Sequence, residues 1–231
     1  MNELLHHLDA QDALALLFFI ACWAGYGFYT RHTSRVGLLA VTHRYRKQWM
    51  QQMLGRDNRS VDAIMIGNLM RSITFSANTT IFILAGLIGM LSYHEQVGSL
   101  ISAIPFAKPI TPIMWEIKIA LLILIFIYAF FKYTWSMRQH NYTSILVAAA
   151  PLDSATGCDA EKEDAAEKAA FLAGNAAEHF NSGLRAYYFG LAALAWFVHP
   201  FAFMAATAVV VYVTHRREYR SHTLQRLATD A

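Results

Sequence analysis

Charged residues are scarce in this chain. Only 15% of the 231 residues are Asp, Glu, Lys or Arg, whereas 56% are hydrophobic, and the mean hydropathy is +0.31. Soluble domains ordinarily contain about 25% charged residues. The composition therefore excludes an ordinary soluble domain, and it predicts an all-α polytopic membrane protein.

Cysteine is also nearly absent, and the motifs of common enzymes and metal sites are missing. Cys22 lies in an apolar segment and Cys158 in a polar one, so we expect neither a disulfide nor a cysteine metal site. No HExxH motif, glycine-rich phosphate loop or nucleophile elbow is present. We predict no metal, no cofactor and no nucleic-acid partner. Histidines and carboxylates that are predicted on the outer side lack metal-ligand spacing: His6, His7, Asp9, Asp12, His94, Glu95, Glu116 and His199.

The apolar residues are clustered in stretches that are long enough to cross a membrane. A helix needs about 20 residues to cross the hydrocarbon core. The stretches predict spans at about 12–30, 64–91 and 113–134, followed by a longer apolar stretch over 183–215. No Lys or Arg precedes the first span, so we expect this span to be retained rather than cleaved as a signal peptide.

Basic residues fix the predicted orientation. Segment 31–63 carries seven Lys and Arg residues, and such segments stay in the cytoplasm. With segments 135–182 and 216–231 also cytoplasmic, the last stretch must turn back on itself, and Pro200 can break its helix. We predict one membrane domain over 1–231 with five spans in a bacterial inner membrane, the N-terminus outside and the C-terminus inside. The last two spans, 183–198 and 200–215, form a hairpin at His199-Pro200; the alternative is one helix kinked there.

Two cytoplasmic helices are expected between the spans. Residues 36–54 form an amphipathic interfacial helix with Leu38, Tyr45, Trp49 and Met53 on its apolar face. Residues 159–180 form an alanine-rich helix that suits close packing, including packing against a second subunit. Three residues of the amphipathic helix are predicted to meet anionic lipid headgroups, as a simple surface anchor or by specific recognition: Arg44, Arg46 and Lys47.

A polar stripe runs along the second predicted span. Arg71 on this stripe would cost a few kcal/mol if it faced lipid, so the stripe is expected to face protein or water. It either lines a solute pathway or packs against other helices. Its members are Asn68, Arg71, Ser72, Phe75, Asn78 and Thr79.

Polar residues also flank the cytoplasmic ends of the third and fourth spans. If they converge, they suit headgroup binding or acid–base chemistry. Otherwise Asn181 or Ser182 caps a helix and Arg185 extends to the interface. These residues are His140, Asn141, His179, Asn181, Arg185 and Tyr187.

Four sequence motifs, in order along nearly the whole chain, resemble the domain-of-unknown-function 599 (DUF599) family. The resemblance implies a multi-pass membrane protein and no established activity. The motifs are Arg46-Lys47-Gln48-Trp49-Met50, Arg56-Asp57-Asn58-Arg59 with Asp62, Gly67-Asn68-Leu69-Met70-Arg71-Ser72 with Thr74-Phe75, and His179-Phe180-Asn181-Ser182-Gly183-Leu184-Arg185-Ala186-Tyr187-Tyr188-Phe189.

The sequence thus favours a homo-oligomeric channel or transporter for ions or small solutes, with the polar stripe as its lining. A scaffold or lipid-binding protein without transport activity is the alternative, and an interfacial enzyme that uses His140 and His179 is the third. The sequence indicates no substrate.

Overall fold

The computed structural model describes residues 9–33, 35–93, 111–151 and 159–229, and all regular structure in these ranges is helical. The α-helices are α1 Ala10–His32, α2 Leu38–Leu54, α3 Ser60–Met90, α4 Pro112–Ala149, α5 Asp159–Leu194, α6 Pro200–Tyr219 and α7 His222–Thr229. Two short 3-10 helices follow α3 and α5, at Leu91–Tyr93 and Ala195–Phe197. The predicted all-α fold is therefore confirmed over the described residues.

Within the described ranges, three helices are long and apolar enough to cross a membrane: Ala10–Thr30, Ser60–Tyr93 and Pro112–Ala149. They coincide with the first three predicted spans. The third helix runs about 15 residues further than predicted, because residues 132–150 contain neither proline nor glycine and Pro151 is the first helix breaker. Its 38 residues extend about 57 Å, well beyond the roughly 30 Å of a hydrocarbon core.

The alanine-rich helix and the fourth predicted span are one continuous helix, α5. The predicted helix start at Asn181 or Ser182 is wrong, because the Ser182 hydroxyl donates to the Glu178 carbonyl inside the helix, at 2.9 Å. Gly183 does not end the helix either. A Cβ atom at Gly183 would lie 2.5 Å from the Tyr133 ring, so this glycine serves close packing on α4.

The helix is interrupted just before Pro200. The helix tightens into the 3-10 turn Ala195–Phe197 and restarts at Pro200. Nη1 of Arg217 donates to the Tyr188 hydroxyl at 2.8 Å, which shows that α6 returns alongside α5. The chain therefore reverses direction at the turn.

The chain divides into two compact units. The first comprises Met1–Arg35, Thr80–Ala129 and Leu184–Arg217. Its core contains an aromatic cluster. Trp23 stacks on Phe189 with 5.2 Å between ring centroids, and Trp196 stacks on Phe203 with 5.1 Å between ring centroids. Phe19 contacts Phe189 edge-on at 5.6 Å.

The second unit comprises Val36–Thr79, Phe130–Gly183 and Glu218–Ala231. Its core combines Met50 and Met53 of α2, both 0% exposed, with Ile66 and Val147. The alanines of α5 that complete this core are Ala166, Ala169, Ala170 and Ala173. The alanine face therefore packs within its own chain.

Helix α2 lies where the sequence predicted it, and its buried face overlaps the predicted one: Met53 is buried and Trp49 packs against the same core. Val41, Met50 and Met53 are buried, whereas Tyr45 is exposed. The prediction assigned the bulky residues of α2 to its buried face, whereas the helices that pack against α2 determine which residues are buried. At the helix start, the Glu218 carboxylate accepts the Leu39 N–H at 3.1 Å.

Candidate functional site

The polar stripe of α3 lies on the surface of the chain. Asn68, Arg71, Ser72 and Asn78 are exposed, and Phe75 is 73% exposed. Only 22% of the most apolar stretch of α3 is buried. Contacts within the chain therefore do not explain the stripe.

The opposite face of α3 is the one that packs within the second unit. Ile66, Ile73 and Ala77 are buried. The Thr79 hydroxyl, half-buried at the edge of the stripe, donates to the Phe75 carbonyl of its own helix at 2.9 Å. Helix α3 therefore has one face that packs within the chain and one polar face that is exposed.

Arg71 is the only charge on this outward face within the described residues, since Asp62 points inward and is 1% exposed. In the described part of the chain, Arg71 makes no hydrogen bond or ion pair. A guanidinium on an apolar helix requires water, an anion or a partner. The α3 face therefore requires an environment that this chain does not supply.

The predicted cytoplasmic rim does not form one cluster. The Ser136 hydroxyl donates to the Ala176 carbonyl at 2.6 Å, which sets the register of α4 against α5. His140 follows Ser136 by one turn, whereas His179, 3.5 Å from Lys132, lies about one turn in the opposite direction. The two histidines are thus about 10 Å apart along the helix axis.

The other predicted rim residues have separate environments. Asn141 is exposed and Asn181 is half-buried. Arg185 and Tyr187 belong to the first unit, where the Tyr187 hydroxyl lies 2.8 Å from that of Thr80. His140 and His179 therefore do not form the acid–base pair that the interfacial enzyme would use.

The three basic residues predicted to meet lipid differ in their surroundings. Arg44 is exposed, and Lys47 forms an exposed ion pair with Glu167 at 3.3 Å. Arg46 is half-buried, donates to the Thr42 hydroxyl at 3.2 Å and lies close enough to His140 to interact electrostatically. Headgroup binding by Arg44 and Lys47 stays a prediction.

A clasp formed by residues 56–62 explains one of the four motifs. Asp62 accepts hydrogen bonds from Trp49 Nε1 at 2.7 Å and from Arg56 at 2.5 Å. The Asn58 side chain caps α3 by accepting the Ser60 N–H at 2.9 Å.

Arg59 of the same clasp binds the end of α4. Its guanidinium donates to the carbonyl groups of Val147 at 2.9 Å, Ala150 at 2.6 Å and Pro151 at 2.7 Å. The last carbonyls of a helix lack partners within it and carry partial negative charge. Arg59 supplies both donors and positive charge there.

A second polar cluster, around Trp196 in the first unit, was not predicted. Asp12 and Lys118 are each only 4% exposed. The Trp196 indole donates to Asp12 at 2.8 Å, and Lys118 Nζ donates to the Trp196 carbonyl at 2.8 Å. A continued helix would pair that carbonyl with the N–H of residue 200, which proline lacks. Lys118 therefore supplies the donor that Pro200 cannot.

Several acidic residues and histidines that the sequence placed on the outer side can be located. Glu116 is exposed, unlike Asp12, and His199 Nδ1 accepts the Phe201 N–H at 3.2 Å. No three His, Cys, Asp or Glu side chains gather into a metal-binding group within the described ranges. His6, His7, His94, Glu95 and Cys158 lie outside the described residues.

Comparison with known proteins identifies the family. No curated protein and no solved structure matches the chain. A family model described as "Protein of unknown function, DUF599" matches residues 14–223. This match spans nearly the whole sequence, and the chain therefore belongs to the DUF599 family.

Proposed function

We propose that this protein assembles with copies of itself in the membrane and forms a pathway for ions or small solutes, lined by the polar face of α3. The observation that carries the proposal is the exposure of Asn68, Arg71 and Ser72 on a helix apolar enough to span. Exposure of Arg71 to lipid would cost a few kcal/mol. If the α3 helices of several copies surround a water-filled axis, Arg71 is hydrated and that cost disappears. The guanidinium of Arg71 then attracts anions and repels cations.

The proposed topology has five spans in a bacterial inner membrane, with the N-terminus outside. Three apolar helices and the reversal at His199-Pro200 support it, because the reversal returns the basic end of α6 to the side of segment 31–63. Anionic lipids of the inner leaflet are the expected neighbours of Arg44 and Lys47.

Cysteine labelling tests this topology. In a protein with Cys22 and Cys158 replaced by serine, His199→Cys is expected to react with a membrane-impermeant thiol reagent added to intact cells. Arg226→Cys is expected to react only after the cells are opened. Labelling of Arg226→Cys in intact cells would instead support four spans and a kinked last helix.

The pathway is tested by flux through liposomes that contain the purified protein. We expect ions or small solutes to pass, and Arg71→Ala to change the ratio of anion to cation flux severalfold while the oligomer mass stays constant. Arg71→Lys keeps the charge and should preserve the ratio. Arg138→Ala removes an exposed cation of α4, which lies 5.8 Å from the Trp135 ring, and should leave the ratio unchanged. Absence of flux over a broad solute panel would overturn the proposal.

A scaffold without transport activity is the second candidate, and Gly67 favours it. A Cβ atom at Gly67 would meet nothing within 4 Å, so another helix could approach the α3 backbone closely there. For a scaffold, Gly67→Leu or Asn68→Leu should break the oligomer, as measured by native mass spectrometry, and no flux should occur with the intact protein. An oligomer that survives both substitutions would count against the scaffold.

A further inference from the structure

His140 is a buried histidine with one ring nitrogen, Nδ1, that lacks a hydrogen-bond partner among the described residues. The side chain is 4% exposed, and its Nδ1 atom is buried. A buried polar atom without a partner costs about 1–3 kcal/mol. Such an atom therefore indicates a group that the protein alone does not provide.

Arg46 is a half-buried cation without a carboxylate partner among the described residues. Its Nη1 atom donates to the Thr42 hydroxyl. Burial lowers the pKa of Arg46 below its usual value, because the charged form loses hydration. Four of the five guanidinium N–H groups remain available for a ligand.

The packing of the second unit brings these two residues together. His43 of α2 occupies the space beside Gly174 of α5. Two residues further along α5, the Ala176 carbonyl accepts the Ser136 hydroxyl of α4. Arg46 lies about one turn beyond His43, and His140 lies one turn beyond Ser136. The guanidinium and the imidazole therefore meet beside one stretch of α5, where the charge of Arg46 acts on His140.

We propose that Arg46 and His140 form a binding site for a phosphate-type oxyanion. Oxyanion oxygens accept hydrogen bonds, and a guanidinium presents a planar set of donors that matches two of them. The Nδ1–H tautomer of His140 adds a further donor. The anion would supply both the missing negative charge and the missing acceptor.

The position of the site along α4 limits the source of the oxyanion. His140 is 28 residues after Pro112, about 42 Å along the helix, which is beyond a hydrocarbon core of about 30 Å. In the proposed topology, the ligand is therefore inorganic phosphate from the inner aqueous side or the phosphate of an inner-leaflet headgroup. The proposal does not depend on transport, because the site lies away from the exposed face of α3.

Titration calorimetry with the full-length protein in a neutral detergent tests the site. One arm adds inorganic phosphate at constant ionic strength. The second arm adds phosphatidylglycerol, with phosphatidylcholine as the comparison. We expect one saturable site per chain, with affinity reduced about tenfold or more in Arg46→Met, since a charge-assisted hydrogen bond is lost. His140→Phe should weaken binding in the same direction.

Arg138→Met is the matched control, because it removes an exposed cation of α4 two residues before His140. Its affinity should equal that of the unsubstituted protein. If Arg46→Met does not fold, Arg46→Lys tests the same point, because it keeps the charge and loses the planar set of donors. Binding of phosphate, or of phosphatidylglycerol alone, supports the site and identifies the source. Absence of saturable binding in both arms, or equal loss in Arg138→Met, overturns it.

Discussion

Replacement of Arg59 by methionine is expected to lower the free energy of unfolding by about 1.5–3 kcal/mol, the range for hydrogen bonds that involve a charged group. Three carbonyl groups at the end of α4, those of Val147, Ala150 and Pro151, would lose their donor. Methionine keeps much of the side-chain volume, so the loss reports hydrogen bonding and charge. Unfolding by a denaturing detergent, followed by circular dichroism, measures the change.

Two further variants separate these contributions. Arg59→Lys keeps the charge but presents a single ammonium group, which cannot reach three carbonyls from a planar fork, so we expect it to lose most of the same stability. Asp57→Asn changes an exposed charge of the same loop and should alter stability by less than about 0.5 kcal/mol. An Arg59→Lys protein as stable as the parent would show that charge alone holds the end of α4.

The sequence predicted the helices well where the local sequence alone determines where a helix begins or ends. Uninterrupted apolar stretches located α1, α3 and the first part of α4, and Pro200 located the reversal, because proline prevents a helix from continuing. The polar stripe of α3 was also readable, since a helix repeats every 3.6 residues. Whether that stripe lines a pathway is a property of the assembly and stays a prediction.

The missed features depend on contacts between residues that are distant in sequence. Asn181 and Ser182 have the chemistry of helix caps, yet α5 passes through them because α4 packs along the helix and Tyr133 fills the space beside Gly183. Packing of that kind outweighs a local capping preference. Arg46 and His140 were assigned to two different predicted sites, and only the packing of α2 against α4 and α5 brings them together.

Lys118 shows how a local rule could have led to a distant partner. Proline at position 200 leaves the Trp196 carbonyl without its helical donor, and a buried carbonyl must find another. A lysine within the apolar start of α4 was a candidate for that role. Glu116, two residues earlier on α4, is exposed and cannot take that role.

Lys118→Met is expected to destabilise the first unit by about 1–3 kcal/mol, the cost of one unsatisfied buried polar group. The Trp196 carbonyl would lose its donor, and buried Asp12 would lose a nearby cation that binds the same tryptophan. For a chain of this size, the melting temperature should fall by roughly 2–4 °C for each kcal/mol lost. Thermal unfolding in detergent, followed by circular dichroism, measures the change.

Glu116→Gln is the matched control, because residue 116 is two positions away on α4 and exposed; it should leave the melting temperature within about 1–2 °C of the parent. Asp12→Asn keeps an acceptor for the Trp196 indole and should cost less than Lys118→Met. If Lys118→Met matched the parent in stability while Asp12→Asn did not, the tryptophan would be held by the carboxylate alone. The turn at Pro200 would then not need the lysine, and the account of Lys118 as the substitute donor would be wrong.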